Sequence, residues 1–127
     1  MIKGGCGTAS ITVAIAGHSH LVRRGLRAVI ETAHDIALIG EVATVAEATD
    51  LIAVQRPQQL VIQMEPGLDI RGLTRQIKTV APGMKLIVLL NVKDNLRTWD
   101  LVGSGVNGIV LSNQPPAVLL TIFSTYQ

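Results

Sequence analysis

Residues 11–33 read ITVAIAGHSHLVRRGLRAVIETA, and this stretch decides the fold. Its first part, Ile11–Ala16, is an unbroken apolar run rich in β-branched residues, which predicts a buried strand. Its second part, His20–Ala33, places apolar residues on one face at helical spacing and arginines elsewhere, which predicts an amphipathic helix. A buried strand followed directly by an amphipathic helix is the repeating unit of an α/β sheet.

Four more short apolar runs follow in the sequence and extend the same pattern. They are Ile36–Val42, Leu60–Ile62, Leu86–Leu90 and Ile109–Leu111. The intervals between them are too long for hairpins and suit a strand followed by a crossover helix. Most runs are continuous rather than alternating, which is typical of strands covered on both faces. With right-handed crossovers, the sequence predicts an α/β fold, a doubly wound, parallel, five-stranded (βα)5 sheet of the flavodoxin-like kind.

Capping and breaking residues set the limits of the predicted helices. Ser19 is predicted to cap the first helix. Thr44 and Glu47 have capping-box spacing, so a second helix is predicted from there to about Gln55, before Pro57. Three further helices are predicted over Arg71–Ala81, over Asn95–Gly103 and after Pro115-Pro116.

Length and composition indicate one folded domain. The chain has 127 residues, of which 48% are hydrophobic and 16% are charged, and this length suits a single core. Residues 11–127 are predicted to form that domain, and the glycine-rich residues 1–10 a flexible N-terminal arm. The longest apolar run, Leu86–Leu90, is far shorter than the roughly 18 residues of a membrane span. Because the first residues also lack the apolar stretch of a secretion signal, a cytoplasmic protein without a membrane partner is expected.

Charge, aromatic content and cysteine content argue against several kinds of site. The formal net charge is +2, and the aromatic residues are Trp99, Phe123 and Tyr126. Nucleic-acid binders usually carry a dense basic face, often with aromatic residues that stack on bases, so this chain is not predicted to bind DNA or RNA itself. Cys6 is the single cysteine, which excludes an internal disulfide and a cysteine metal cluster. An enzyme is not expected, because no nucleophile, base and orienting group are predicted to converge.

Several separated segments resemble, in order, the receiver domains of NarL/FixJ-type (LuxR-type) response regulators. The strand Ile11–Ala16 followed by Leu21–Arg27 is similar to the opening of these receivers. The later segments of the resemblance are Ile39–Val42, Ala46–Ala48, Arg56-Pro57 and Gly105–Leu111. The resemblance covers about residues 11–125 and implies a CheY-like receiver fold from a two-component signalling protein.

The same resemblance places the family's phosphorylation pocket on residues that lack its chemistry. A typical receiver has two acidic residues after the first strand, a phosphorylated aspartate at the end of the third, a hydroxyl residue after the fourth and a lysine after the fifth. Those positions here carry Gly17, His18, Gln63, Leu90 and Ser112. Because Mg²⁺ prefers carboxylate oxygens and aspartyl phosphorylation needs a carboxylate nucleophile, neither Mg²⁺ binding nor phosphorylation is predicted.

The loop after the third strand leaves the exact acceptor position open. Its spacing departs from the usual one, so the acceptor position could fall on Met64, which is equally inert. Glu65 and Asp69 are the carboxylates of this loop. Both are expected to lie past the tip of the strand, in solvated surface roles, so neither is predicted to replace the missing aspartate.

Two other patterns favour a structural reading. Gly103–Gly108 spells G-x-G-x-x-G, but it precedes a predicted strand instead of opening a helix, so it predicts a helix cap and a tight turn, not a nucleotide site.

His18 and His20 form a His-x-His pair and His34 lies near the end of the first helix. Zinc needs about four ligands, so no metal and no cofactor are expected. A pH-responsive role for His18 in the vacated pocket stays open.

The last predicted helix suggests a surface for self-association. Its apolar residues cover a wider arc than packing on the sheet requires, which leaves Val118, Ile122 and Tyr126 as a candidate dimer interface. The resemblance implies the same, since these receivers often form homodimers through their first and last helices.

Taken with the degenerate pocket, these features predict a phosphorylation-independent receiver-like signalling and dimerisation module. It is the expected regulatory domain of a two-component-type transcription regulator, which would contact DNA only through a domain absent from this chain. Two alternatives stay open. One is a small-ligand or metal sensor that uses the vacated pocket around Gly17, His18, Gln63 and Asn91. The other is a stand-alone protein-interaction adaptor.

Overall fold

Strand and helix alternate along residues 11–65, 67–91, 101 and 103–126, which the computed structural model of the chain describes. The strands are β1 (Ile11–Ala16), β2 (Ile36–Val42), β3 (Gln59–Gln63), β4 (Lys85–Leu90) and β5 (Gly108–Leu111). The helices in these ranges are α1 (His20–Glu31), α2 (Val45–Gln55), α3 (Ile70–Val80) and α4 (Pro116–Thr125). The predicted arm over residues 1–10 and most of the predicted helix over Asn95–Gly103 lie outside the described residues.

The described strands form one parallel sheet in the order β2-β1-β3-β4-β5. The predicted doubly wound (βα)5 architecture is therefore confirmed. The sheet is regular except between β1 and β2, where Val13 pairs with Leu38 and Ala14 pairs with Gly40. Ile39 is thus skipped by the pairing, which makes a bulge in the edge strand β2.

The hydrophobic core has two layers, one on each face of the sheet. On one face α2 and α3 pack through residues such as Ile52 and Ile77. On the other face α1 and α4 pack side by side through Ile30 and Phe123, which are at most 1% exposed. Each such side chain contributes about 1.5–3 kcal/mol when fully buried, so the two faces together determine which surface of each helix points inward.

Local capping explains where the helices begin and end. Thr44 accepts a hydrogen bond from the Glu47 amide at 3.1 Å, and its hydroxyl donates to the Glu47 carboxylate at 3.0 Å. The predicted start of α2 is therefore confirmed. α1 ends at Glu31, two residues before the predicted end, because the Thr32 amide and hydroxyl turn back to the Val29 carbonyl.

The end of α4 is held by the amino-terminal edge of the sheet. Gln59 is fully buried there, and its Nε2 donates to the Phe123 carbonyl at 2.7 Å. The Gln59 Oε1 has no hydrogen-bond partner among the described residues. Close by in the chain, Tyr126 donates its hydroxyl to the Asn107 carbonyl at 2.6 Å. Two side chains therefore fix the last turn of this helix.

Candidate functional site

A polar cleft of about 210 Å³ lies where the strands end, at the carboxyl edge of the sheet. It is lined by His18, Val22, Gln63, Met64, Leu89, Asn91 and Ser112. The structure thus brings His18, Gln63 and Ser112 together as the resemblance implies. This edge is also where ligands of doubly wound folds usually bind.

Leu90 does not line this cleft. Its side chain is fully buried in the core layer beneath α3, with Leu86 and Val88. Successive side chains of a strand point to opposite faces, so Leu90 follows its alternate neighbours into that layer. The prediction that Leu90 belongs to the pocket is corrected, because Asn91 is the residue after β4 that reaches the cleft.

Gly17 and Gln63 lie side by side at the ends of adjacent strands. β1 pairs with β3 up to Ala16 and Ile62, so these two residues are the next along each strand. The Gln63 Oε1 accepts a hydrogen bond from the Ser19 amide at 3.2 Å. Ser19 in turn caps α1, its hydroxyl accepting from the Val22 amide at 3.2 Å, which confirms its predicted role.

His18 contacts a carboxylate across the mouth of the cleft. Its Nδ1 lies 3.0 Å from the Glu65 Oε2, and the two side chains are 53% and 37% exposed. A contact with this much exposure contributes at most about 1 kcal/mol. It is an ion pair only when the imidazole is protonated.

The residues present do not fit the Mg²⁺ ion of the receiver family. Glu65 faces His18, while Asp69 caps α3 by accepting from the Gly72 amide at 3.1 Å. Mg²⁺ prefers a shell of carboxylate oxygens, whereas the positions that the resemblance assigns to the family's carboxylates carry a glycine, an imidazole and an amide. Across the described part of the chain, no three His, Cys, Asp or Glu side chains are grouped to hold a metal ion.

A partly buried charge cluster beside the cleft was not predicted from the sequence. Glu41, at the end of β2, is 16% exposed and accepts from Arg23 Nε at 3.1 Å. Arg27 donates to the same carboxylate from Nε at 2.9 Å and from Nη2 at 2.6 Å. Arg23 also donates from Nη1 to the Gly17 carbonyl at 2.6 Å. The cluster therefore joins α1 to β2 and to the loop that carries His18.

Opposing effects set the protonation of Glu41. Burial favours the neutral acid, but the hydrogen bonds from Arg27 and Arg23 outweigh it and hold the pKa of this carboxyl below its ordinary value. A cue for the cluster existed in the sequence, since two arginines four residues apart lie on one side of a helix. Its acidic partner is distant in the sequence, on another element.

The candidate dimer surface is only partly exposed. Val118, Ile122 and Tyr126 are all half-buried. Ile122 packs against β5, because a Cβ built on Gly108 would lie 3.2 Å from its Cγ2. Part of the Ile122 side chain therefore faces the sheet, and the dimer interface at Val118, Ile122 and Tyr126 stays a prediction.

An apolar groove runs between α1 and α4. It encloses about 290 Å³, and its wall includes Val22, Leu26, Val29 and Leu119. Leu21, next to Val22 on α1, is 80% exposed. A contiguous apolar surface, such as the one that lines this groove, is a feature of surfaces that associate with proteins.

The glycine motif near the end of the chain makes a turn. Gly103 and Gly105 have φ values of 82° and 99°, in the left-handed region that favours glycine. The motif leads into β5, and just before that strand Asn107 Oδ1 accepts from the Leu86 amide at 3.0 Å. The predicted structural role as a tight turn is therefore confirmed.

Sheet order, helices on both faces and a cleft at the strand ends define a protein of the flavodoxin-like class, which includes receiver domains. The chain is 29% identical over 110 residues to the uncharacterized transcriptional regulatory protein YhcZ of Bacillus subtilis, a match over 85% of this chain and 51% of that protein. The REC domain of AraT, a response regulator from Geobacillus stearothermophilus, matches at 19% identity with a TM-score of 0.77, over 91% of this chain and 92% of that one. A DNA-binding response regulator of the LuxR family from Staphylococcus aureus matches at 18% identity with a TM-score of 0.79, over 91% of this chain and 98% of that one.

The resemblance to receiver domains of LuxR-type response regulators is therefore confirmed, and the fold is the CheY-like receiver fold. No protein-family model matches the chain. The chain spans about half the length of the curated relatives it matches. None of the helices in the described ranges has the length and apolar character to cross a bilayer.

Proposed function

We propose that this domain is a phosphorylation-independent receiver that signals through protein association. The observation that carries the proposal is the pocket itself. The resemblance aligns the three positions that hold carboxylates in typical receivers with Gly17, His18 and Gln63, and the alternative acceptor position, Met64, also lacks a carboxylate. The nearest loop carboxylates, Glu65 and Asp69, are engaged by His18 and by the start of α3. An amide cannot act as the phosphoryl acceptor.

We further infer that the domain regulates transcription from the cytoplasm. The relative with 29% identity is named a transcriptional regulatory protein, and this chain spans about half of it. A DNA-binding domain would then lie outside these residues, and the receiver would contact DNA only through it. A full reading frame with a downstream helix-turn-helix supports a regulator, whereas its absence supports a stand-alone adaptor.

The proposed association surface is a homodimer interface built from α1 and α4. This assignment is supported by the apolar groove between the two helices, by the exposed Leu21 and by the half-buried Val118 on α4. Burial of Leu21 against a second copy adds about 1.5–3 kcal/mol for the side chain, before the costs of association. The result is a concentration-dependent dimer whose contact is mainly apolar and therefore little affected by salt.

The size of the cleft favours this function over a small-ligand sensor. Ligand pockets usually enclose about 300–1,000 Å³, whereas this cleft encloses about 210 Å³. Part of the vacated space is taken by the Gln63 side chain, which already accepts from Ser19.

Phosphorylation is tested by incubating the chain with acetyl phosphate and Mg²⁺ and measuring its intact mass. The expected result is an unchanged mass, because no acceptor carboxylate lies at the tip of β3. A stoichiometric gain of one phosphoryl group, mapped to Glu65 or Asp69, would overturn the proposal.

Dimerisation is tested with two matched charge substitutions. Leu21→Lys is expected to weaken the dimer at least about tenfold in sedimentation, since it loses the burial of one leucine on each copy. Val54→Lys is the control, because Val54 on α2 is 79% exposed but lies away from α1 and α4. If both substitutions weaken the dimer equally, or if neither of them weakens it, the interface lies elsewhere.

A further inference from the structure

The Gln63 side chain lies in the cleft at the position of the family's phosphorylation pocket. Gln63 stands where the resemblance places the family's phosphorylated aspartate, and its Oε1 accepts from the Ser19 amide at 3.2 Å. Ser19 is the residue that caps α1. A hydrogen bond across 44 residues of sequence thus connects the tip of β3 to the first turn of α1.

The absence of a side chain at Gly17 makes room for this contact. A Cβ at Gly17 would lie 2.7 Å from Gln63 Oε1 and 2.9 Å from Gln63 Cβ, closer than real Cβ contacts. The Gln63 Cβ is fixed to its strand and cannot swing away as the end of a long side chain can. Gly17 is not among the described glycines with positive φ, so space, not backbone conformation, requires a glycine here.

Other bonds hold the same loop in place. The Gly17 amide donates to the Val42 carbonyl at 3.0 Å, and its carbonyl accepts from Arg23. Gln63 adds the bond to Ser19, so the chain between β1 and α1 is fixed from β2, from α1 and from β3. The loop is therefore held in position by groups of the chain itself.

We propose that Gln63 is a built-in occupant of the receiver pocket and a positioning residue for the start of α1. This inference rests on the proposed function, because it explains how a receiver that is not phosphorylated keeps one arrangement of its pocket. Gly17 and Gln63 then form a complementary pair. In this arrangement of the two strand ends, a Cβ at position 17 would overlap both the Cβ and the Oε1 of Gln63.

The pair is tested by a double-mutant cycle on the unfolding midpoint of the whole chain. Gly17→Ala is expected to lower the midpoint markedly, and the shift should fall to less than half in a Gln63→Gly background. Glycine is needed in that background because Gln63→Ala would keep the Cβ that causes the closest carbon contact. If Gly17→Ala alone fails to fold, recovery of the native circular dichroism spectrum in the double variant supports the same pairing of Gly17 with Gln63.

The positioning role is tested by hydrogen exchange in two matched variants. Gln63→Leu keeps the size but removes the acceptor, and should speed exchange of the Ser19 amide up to about tenfold, the value of one hydrogen bond. Gln63→Glu keeps an acceptor and should restore protection. Exchange in α3, which does not contact this bond, serves as the measure of global stability.

The inference would be overturned if the two substitutions shift the unfolding midpoint additively and if Gln63→Leu leaves the exchange rate of the Ser19 amide unchanged. The proposed function would still stand in that case. Phosphorylation of the native chain by acetyl phosphate would instead overturn the proposed function. The two failures are therefore distinguishable.

Discussion

The Glu41 cluster gives the sharpest prediction for stability. Glu41→Gln removes the charge while it keeps the shape and one acceptor oxygen. Three N–H groups of Arg23 and Arg27 donate to the native carboxylate. Hydrogen bonds to charged groups contribute about 1.5–3 kcal/mol each when buried, but far less when exposed. Since Arg27 is 41% exposed and Arg23 only 14%, the expected loss is about 1–3 kcal/mol in the free energy of unfolding.

The same substitution should change how stability depends on pH. The pKa of Glu41 is lower in the folded chain than its ordinary value, because the hydrogen bonds from the two arginines outweigh burial. As pH falls, the unfolded chain therefore takes up this proton first. The stabilisation is complete above the ordinary carboxyl pKa and is lost as pH falls from there through the folded pKa.

Urea denaturation at a series of pH values, from neutral down through the acid range, measures both effects. The Glu41→Gln chain should be less stable at neutral pH, and the difference from the native chain should shrink as pH falls. Glu31→Gln, on the exposed side of α1, is the control and should change stability by less than about 0.5 kcal/mol. A Glu41→Gln chain as stable as the native one, with the same pH dependence, would refute the reasoning.

Two further predictions concern buried and capping groups, and urea denaturation measures both. Gln59→Met should change stability by less than about 1 kcal/mol, because loss of the bond to Phe123 is offset by removal of an unpartnered buried oxygen. Gln59→Glu should lower the free energy of unfolding by about 3 kcal/mol or more at neutral pH, since it buries a charge without a partner. Equal stabilities of the two variants would contradict this account. Thr44→Ala should cost about 1 kcal/mol through loss of the α2 cap, whereas the control Thr79→Ala, on the exposed side of α3, should cost less than about 0.5 kcal/mol. A larger loss for Thr79→Ala than for Thr44→Ala would show that capping is not the cause.

The fold could be predicted because its signals are local. Apolar runs gave β1 and β2 with the observed limits, and the capping box gave the start of α2. β3 is longer than the predicted Leu60–Ile62 because polar residues extend it at both ends. Gln59 and Gln63 pair as strand residues since neighbouring strands supply their backbone partners, and a polar side chain carries no such signal in the sequence.

The site could be predicted only in outline. The positions of Gly17 and Gln63 followed from a resemblance, but the contact between them depends on two strand ends that are distant in sequence. Leu90 was misplaced because strand alternation, not sequence order, decides which side chain reaches the cleft. The contact of Ile122 with β5 could not be predicted either, because an arc of apolar residues does not show that β5 presents a glycine for it to pack on.

The bulge at Ile39 has a consequence for how copies of this domain can meet. β2 is an edge of the sheet, and a free edge offers backbone groups to which a strand of another chain can add. A skipped residue breaks the regular spacing of those groups and increases the local twist. The β2 edge is therefore a poor template for strand addition, and pairing of copies through this edge is disfavoured relative to contacts between their helices.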